Sequence, residues 1–419
     1  MIELKPHQVK ASNEILEKLD KYKFCMLSGE PRTGKTLTII EVINRLWIKT
    51  NILNFNCLIV TKLNAIASIE KDIANYITPK NVVIETINFE SVHKVKSNYY
   101  DLLIIDEVHC IGYIQKPKLI NKRLSKIKYG YYIGMSGSIF LETFATAYSL
   151  YKIAFPLHKN FYSWAKEFVN IKDKYIGQLI VKDYTQVKSK QVIMYCIEQY
   201  NVVMTQDDSG FKTKVKDIIH YIDSANINKL CKTIRDNKKY VFKTGQLFIA
   251  DTLSMELQAI KQLQSGGLKI GEEYLLLDKF KVDYIAETFK DKKIAIYYNY
   301  ISERMMLELY LKIAGYEITD SAEVFNATDK NTVFIGQFVS KREGVNLSAS
   351  NDVIFMSVPF SNLSYLQARE RCILRDKDEE INCHILCTQF DREVYRIIKK
   401  EKSVFNYAIY KSFKNKELF

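Results

Sequence analysis

Eight residues near the N-terminus limit what this chain can become more than any other stretch: Gly29-Glu30-Pro31-Arg32-Thr33-Gly34-Lys35-Thr36. They complete the pattern GxxxxGK[ST], with apolar Phe24-Cys25-Met26-Leu27 before it and Leu37, Ile39, Ile40 and Ile43 at helical spacing after it. A buried strand that turns through glycines into a helix curls its backbone N–H groups around one point, and the helix N-terminus favours an anion there. The stretch therefore predicts a phosphate cradle made by Gly29, Pro31, Arg32, Thr33 and Gly34. Lys35 would reach the β- and γ-phosphates of ATP, and the Thr36 hydroxyl would bind Mg2+.

A second signal follows at Leu102-Leu103-Ile104-Ile105-Asp106-Glu107-Val108-His109. An apolar strand ending in two acids sets them at the carboxyl edge of a parallel sheet, where phosphates would already sit. Asp106 is expected to hold Mg2+, directly or through water, and Glu107 to orient or activate the attacking water. His109 is expected to couple this site to a neighbouring lobe.

The rest of the chain is organised around the same kind of unit. Cys57-Leu58-Ile59-Val60 joins the two strands above, and Ile294-Ala295-Ile296-Tyr297, Val333-Phe334-Ile335, Val353-Ile354-Phe355-Met356 and His384-Ile385-Leu386 repeat the style near the C-terminus. Continuous apolar runs alternating with helical stretches describe α/β architecture with parallel sheets. At 419 residues, 47% of them hydrophobic, the chain has length for more than one domain and material for their cores. Residues 1–172 are expected to form the ATP-binding lobe, 173–272 a more polar, mostly helical insertion or linker, and 273–419 a second lobe. Lys and Arg outnumber Asp and Glu by 61 to 48, a net charge of +13, which favours a polyanionic partner. The eight cysteines are scattered, and no second pair joins Cys383 and Cys387 at zinc-site spacing, so reduced thiols in an intracellular, cytoplasmic protein are expected (host cytoplasm, should the source be a virus). No apolar run reaches the roughly 18 to 20 residues of a membrane span, and no membrane partner is expected.

With these residues in place the chain resembles a superfamily 2 helicase or translocase of the Swi/Snf-like group, in the compact DEAD/DEAH-box form found in phage genomes. Leu4-Lys5-Pro6-His7-Gln8 is similar to that family's Pro-x-Gln element, whose Gln reads the adenine. Leu58-Ile59-Val60-Thr61-Lys62 and Thr86-Ile87-Asn88-Phe89-Glu90-Ser91 resemble its loops that touch the tracked strand. Gly134-Met135-Ser136-Gly137-Ser138 resembles the motif linking the ATP site to lobe closure, with Ile139 in place of the family proline. Phe161-Tyr162-Ser163-Trp164, Ala250-Asp251-Thr252 and Gln262-Leu263-Gln264-Ser265-Gly266-Gly267 resemble family passages further along. Glu343-Gly344-Val345-Asn346-Leu347 is similar to the fifth motif, and Gln367-Ala368-Arg369-Glu370-Arg371 to Q-A-x-G-R, with Glu370 for the glycine.

The resemblance implies two RecA-like lobes with ATP and Mg2+ between them, and an arginine from the second lobe that stabilises the transition state. Arg371 matches the family's first arginine. The second would fall at Leu374, so Arg375 is the next candidate and Arg369 the third. Gly344 is expected near the nucleotide. Lys62, Thr86, Ser91, Gln337, Ser340, Lys341, Arg342 and Asn346 are expected to contact nucleic-acid phosphates, which carry no base information. Tyr297, Tyr298 and Tyr300 could stack on bases, though packing suits them better. The turn Asp207-Asp208-Ser209-Gly210-Phe211 is a candidate strand-separating wedge, with an interior phenylalanine as the plainer reading. The resulting expectation is a monomeric, DNA-dependent ATPase that moves on or remodels duplex or branched DNA. An RNA helicase is one rival, and a weakly hydrolysing nucleotide-sensing interaction subunit is another.

Overall fold

The computed structural model describes residues 3–30, 33–76, 79–140, 143–176, 179–210, 214–328, 331–338, 347, 349–360, 365, 369 and 380–400. They fall into two compact units, Met1–Phe211 and Lys212–Phe419.

The first unit is built on strands β1 (Phe24–Gly29), β2 (Phe55–Thr61), β3 (Val82–Asn88), β4 (Tyr99–Asp106) and β5 (Lys128–Ser136), with a hairpin, β6 (Lys172–Ile176) and β7 (Leu179–Asp183), and a late strand, β8 (Asn201–Met204). Six of them form a sheet in the order β3-β2-β4-β5-β1-β8, every neighbouring pair parallel. The helices are α1 (Pro6–Tyr22), α2 (Lys35–Thr50), α3 (Ile66–Asn75), α4 (Leu119–Leu124), α5 (Ala147–Leu150), α6 (Phe161–Phe168) and α7 (Lys190–Ile197). The central strands are apolar without alternation because both faces are covered. Cys25, Leu27, Cys57, Ile59, Leu102 and Ile104 belong to the core on one face, with α1 and α2. Met26, Leu58, Val60, Leu103 and Ile105 belong to the core on the other, with Phe161 and Trp164 of α6.

The second unit repeats this plan with β9 (Val215–Tyr221), two hairpins (β10, Lys239–Val241, with β11, Leu247–Ile249; β12, Gly267–Ile270, with β13, Glu273–Leu276), then β14 (Ile294–Tyr298), β15 (Glu317–Thr319), β16 (Thr332–Gln337), β17 (Asp352–Phe355) and β18 (Ile381–Cys387). Its six-stranded sheet runs β15-β16-β14-β17-β18-β9, again parallel throughout. Helices α8 (Ala225–Asn237) and α9 (Leu253–Leu263) cover one face, and α10 (Phe280–Thr288) and α11 (Ile301–Ile313) the other. Helix α12 (Ala322–Ala327) and a last helix, Gln389–Lys400, complete it.

Residues 173–272, expected as a mostly helical linking segment, instead carry strands and helices alike and divide between the units. Strand β8 finishes the first sheet beside β1, and β9 finishes the second beside β18. No described helix is long and apolar enough to cross a membrane.

Candidate active site

Because every strand of the first sheet points the same way, the residues ending β1, β2, β3, β4, β5 and β8 share one edge: Gly29, Thr61, Asn88, Asp106, Ser136 and Met204. The sequence-derived nucleotide residues of the first unit lie along it, apart from Pro31 and Arg32, which fall outside the described residues.

The glycine loop leaves β1 at Gly29 and enters α2 through Gly34, whose φ of +83° is a left-handed conformation suited to glycine. A Cβ at Gly34 would come within 2.1 Å of Gln8 Nε2, so the side chain expected to read adenine lies against the loop backbone. Gln8 is 4% exposed; its Nε2 donates to Gly34 O at 3.2 Å, and its Oε1 accepts from Lys5 N at 2.8 Å. His7 Nε2 lies 2.9 Å from Thr33 O, a contact the sequence did not suggest. Thr33 Oγ1 donates to Glu30 O at 2.9 Å. The Lys35 ammonium crosses the mouth of the loop, donating to Gly29 O at 2.7 Å and Glu30 O at 3.2 Å. Thr36 follows in the first turn of α2. Thr38 Oγ1 returns a bond to Gly34 O at 3.1 Å, fixing the helix start.

The acid pair occupies two environments. Asp106 Oδ2 accepts from Thr61 Oγ1 at 2.7 Å, and Asp106 Oδ1 from Glu107 N at 3.0 Å. Burial, followed by the neighbouring Glu107 charge, pushes the Asp106 carboxyl up to about 6 against the pull of Thr61 and Lys35. Glu107 adopts φ +52°, an uncommon conformation for a residue with a Cβ, directly after the strand. Burial would raise its carboxyl too, but the hydrogen bond and charge of His109, then Lys62 and Lys35, bring it down to about 2. His109 is held up at about 9: burial opposes the proton, but the Cys110 and Glu107 interactions outweigh it.

Ser136, at the end of β5, joins this pair. Its Oγ donates to Glu107 Oε2 at 2.9 Å and accepts from Ser138 N at 3.2 Å, while His109 Nδ1 lies 2.9 Å from Ser136 Oγ and 3.2 Å from Glu107 Oε2. Thr61 and the Ser136 bond to Glu107 are the functional contacts that residue-by-residue reading missed. Both residues lie within quoted motifs, and the parallel register of β2, β4 and β5 is what delivers their hydroxyls to the acids.

Lys62 follows the end of β2, Ser91 lies beyond β3, and Thr86 sits within β3 two residues before its end. Thr86 Oγ1 donates to Glu70 Oε1 at 2.6 Å, Ser91 N donates to Asn88 Oδ1 at 2.8 Å, and Lys62 acts electrostatically on Glu107. In the second unit Gln337 ends β16, with its Nε2 3.2 Å from Asn299 O. Tyr297 and Tyr298 are buried in β14. Arg369 is taken up by β9, its Nε 2.8 Å from Asp217 Oδ1 and its Nη2 2.8 Å from Val215 O. Lys399 and Tyr395 share the same Asp217. The turn after β8 is tied to the glycine loop, Gln206 N donating to Glu30 Oε2 at 2.6 Å. Ser340, Lys341, Arg342, Gly344, Asn346, Arg371 and Arg375 lie outside the described residues, as does Phe211.

No protein-family model matches the chain, and no curated protein matches it in sequence. Among solved structures it is similar to the SWI2/SNF2 ATPase core of Sulfolobus solfataricus in complex with dsDNA, with 15% identity, coverage of all of this chain and 94% of that one, and a TM-score of 0.45. It is also similar to the ATP-dependent Type ISP restriction-modification enzyme LlaBIII bound to DNA, with 12% identity and a TM-score of 0.53 over 96% of this chain and 30% of that one. The second likeness carries the fold. The chain is an α/β protein of two RecA-like lobes.

Proposed function

We propose that this chain is an ATP-driven DNA motor of superfamily 2, of the Swi/Snf-like kind, which moves on or remodels duplex or branched DNA. The observation that carries the reading is the meeting at one sheet edge of a glycine cradle, its lysine and two carboxylates with opposed proton affinities, Lys35 acting electrostatically on both acids.

The residues fit ATP with Mg2+. The loop has no room for side chains at Gly29 or Gly34, where a Cβ would meet Lys35 at 2.6 Å and Gln8 at 2.1 Å. Lys35 and the loop amides would hold phosphate, Gln8 the base, and Thr36 and Asp106 the cation. When bound, Mg2+ neutralises charge on the phosphate oxygens. Glu107 stays ionised at working pH and would orient the attacking water. Ser136 and His109 fix its carboxylate, as a positioned base requires. Arg371, and after it Arg375, keep the role implied by the family resemblance, the cation that makes turnover depend on the polymer. Lys62, Thr86, Ser91, Gln337, Ser340, Lys341 and Asn346 would meet phosphates, giving a grip indifferent to base sequence. The similar restriction-modification enzyme LlaBIII is bound to DNA, which supports DNA over RNA.

The test is ATP turnover with no polymer, single-stranded DNA, duplex DNA, forked DNA and RNA, alongside displacement of the third strand of a triplex. Stimulation by duplex with triplex displacement and weak unwinding of a blunt duplex is expected. Stimulation by RNA alone, or robust blunt-duplex unwinding, would reject the translocase reading. Arg371→Ala should remove the polymer-stimulated part of turnover and spare nucleotide binding.

A further inference from the structure

The charge of the chain is not evenly spread. Residues 225–249, which make α8 and the β10–β11 hairpin, contain Lys229, Lys232, Arg235, Lys238, Lys239 and Lys243 against one acid, Asp236. Six positive charges less one negative leave +5 in this segment, out of +13 for the whole chain. None of the helicase-like motifs falls here.

The fold turns most of that charge outward. Helix α8 buries Ile227, Cys231 and Ile234 in the core of the second unit, which leaves Lys229 and Lys232 exposed on the opposite face. The hairpin has the alternation of a half-buried ribbon. Tyr240, Phe242 and Phe248 face the core, while Lys239, Val241, Lys243, Leu247 and Ile249 face solvent. Register sets Lys239 opposite Ile249 and Val241 opposite Leu247, so the outer face mixes cations with apolar side chains. Val241 is 63% exposed and Leu247 50%, more than a ribbon covered by its own domain would leave. At the tip, a Cβ on Gly245 would have nothing within 4 Å, so the turn is open to solvent.

Two of the cations are occupied, Lys238 by Glu256 and Arg235 by Asp236. Among the described residues, the side chains of Lys229, Lys232, Lys239 and Lys243 form no ion pair or hydrogen bond. Cations without partners are the ones that release counterions when they meet phosphates. A two-stranded ribbon is also the right width to enter a duplex groove.

We propose that α8 and the β10–β11 ribbon form a second nucleic-acid surface that grips a DNA duplex through Lys229, Lys232, Lys239 and Lys243. The proposal rests on the DNA-motor reading but concerns residues outside the motifs behind it. The four lysines bind phosphates on either side of a groove, and the apolar residues of the ribbon face the sugar edges between them. A contact of this kind holds the track independently of the ATP cycle.

The test is binding of the full chain to a short fluorescent duplex across about 50 to 200 mM salt, for wild type, for a variant with all four lysines changed to Ala, and for one with all four changed to Arg. Each phosphate contact adds about 0.9 to the slope of log affinity against log salt, so the Ala variant should be shallower by about 3 to 4. Its affinity at the low-salt end should fall at least about ten-fold, with thermal unfolding and polymer-free ATP turnover unchanged, and the Arg variant should keep the wild-type slope. If wild type binds duplex and the Ala variant binds with the same slope and affinity, this surface is overturned and the motor reading stands. If wild type ignores duplex, the motor reading falls and this surface with it. A slope lost for an acidic polypeptide but not for duplex would assign the patch to a protein partner and likewise overturn the proposal.

Discussion

The two units solve the same topological problem and fill its functional edge in opposite ways. In the first, the strand ends carry groups that remain reachable: Glu107 keeps 22% of its side chain exposed, and Lys35 spans the mouth of the glycine loop. In the second, the ends of β17 and β18 are sealed. Lys281 Nζ donates to Met356 O at 3.0 Å, Leu386 O at 3.3 Å and Asp391 Oδ2 at 2.9 Å, and Lys261 closes on the other oxygen of Asp391. Lys261 and Lys281 are 1% exposed and Asp391 is fully buried, so this ion cluster is closed to solvent. A parallel sheet supplies an edge, and the chemistry depends on which side chains the loops leave open there.

The contrast between the units has its largest expected consequence at Lys35. Lys35→Ala removes the ammonium from the cradle and should abolish ATP turnover in a folded protein. Near-normal activity would show that the open edge is not a nucleotide site. In the second unit the matching change is Asp391→Asn, which leaves two buried lysines without their carboxylate. A broken buried ion pair costs about 3 to 5 kcal/mol, so thermal unfolding should shift sharply downward. An unshifted transition would mean that water reaches these charges. Next in size is Glu107→Gln, which should lower turnover about 10²-fold while ATP still binds. Ser136→Ala, which only loosens the carboxylate, should lower it less. Loss of nucleotide affinity with normal turnover per bound ATP would take the water-orienting role from Glu107.

What the amino-acid sequence makes legible divides along a physical line. The glycine loop, the acid pair and the central strands were legible because each is a local signal: a continuous apolar run, a glycine turn, two acids at a strand end. Strand β8 was not, because Asn201-Val202-Val203-Met204 is short and owes its place to pairing with β1, far away in sequence. Strand β9, Val215–Tyr221, was hidden for the same reason, since an edge strand with Lys216, Asp217 and His220 has no buried-strand signature. Arg369 shows the limit for side chains. Its spacing made it a candidate for the catalytic arginine, and only the fold reveals that Asp217 of β9 engages it.

The smallest expected effect separates the units by the sign of their response to pH. In the first, His109 has its folded proton affinity raised from 6.5 to about 9. The stability it contributes is complete below its unfolded value and is lost as pH rises from about 6.5 through 9. In the second, His220 Nδ1 lies 2.7 Å from Tyr284 Oη, and its Nε2 lies 2.8 Å from His384 Nδ1. His384 Nε2 in turn lies 2.7 Å from Asp352 Oδ1. Burial, then the charge of His384, lowers the proton affinity of His220. The unfolded chain therefore binds the proton more readily, and stability falls as pH drops below about 6.5. Asp352 acts in a lower window: burial opposes its ionisation, but His384 and Lys292 bring it below 3.8, so its contribution is lost only in stronger acid. Unfolding midpoints measured from pH 5 to 9 should show His109→Gln flattening the alkaline limb and His220→Gln the acid limb. If both variants kept the wild-type pH profile, neither histidine would differ in proton affinity between folded and unfolded chains, and the electrostatic contrast between the two units would fail.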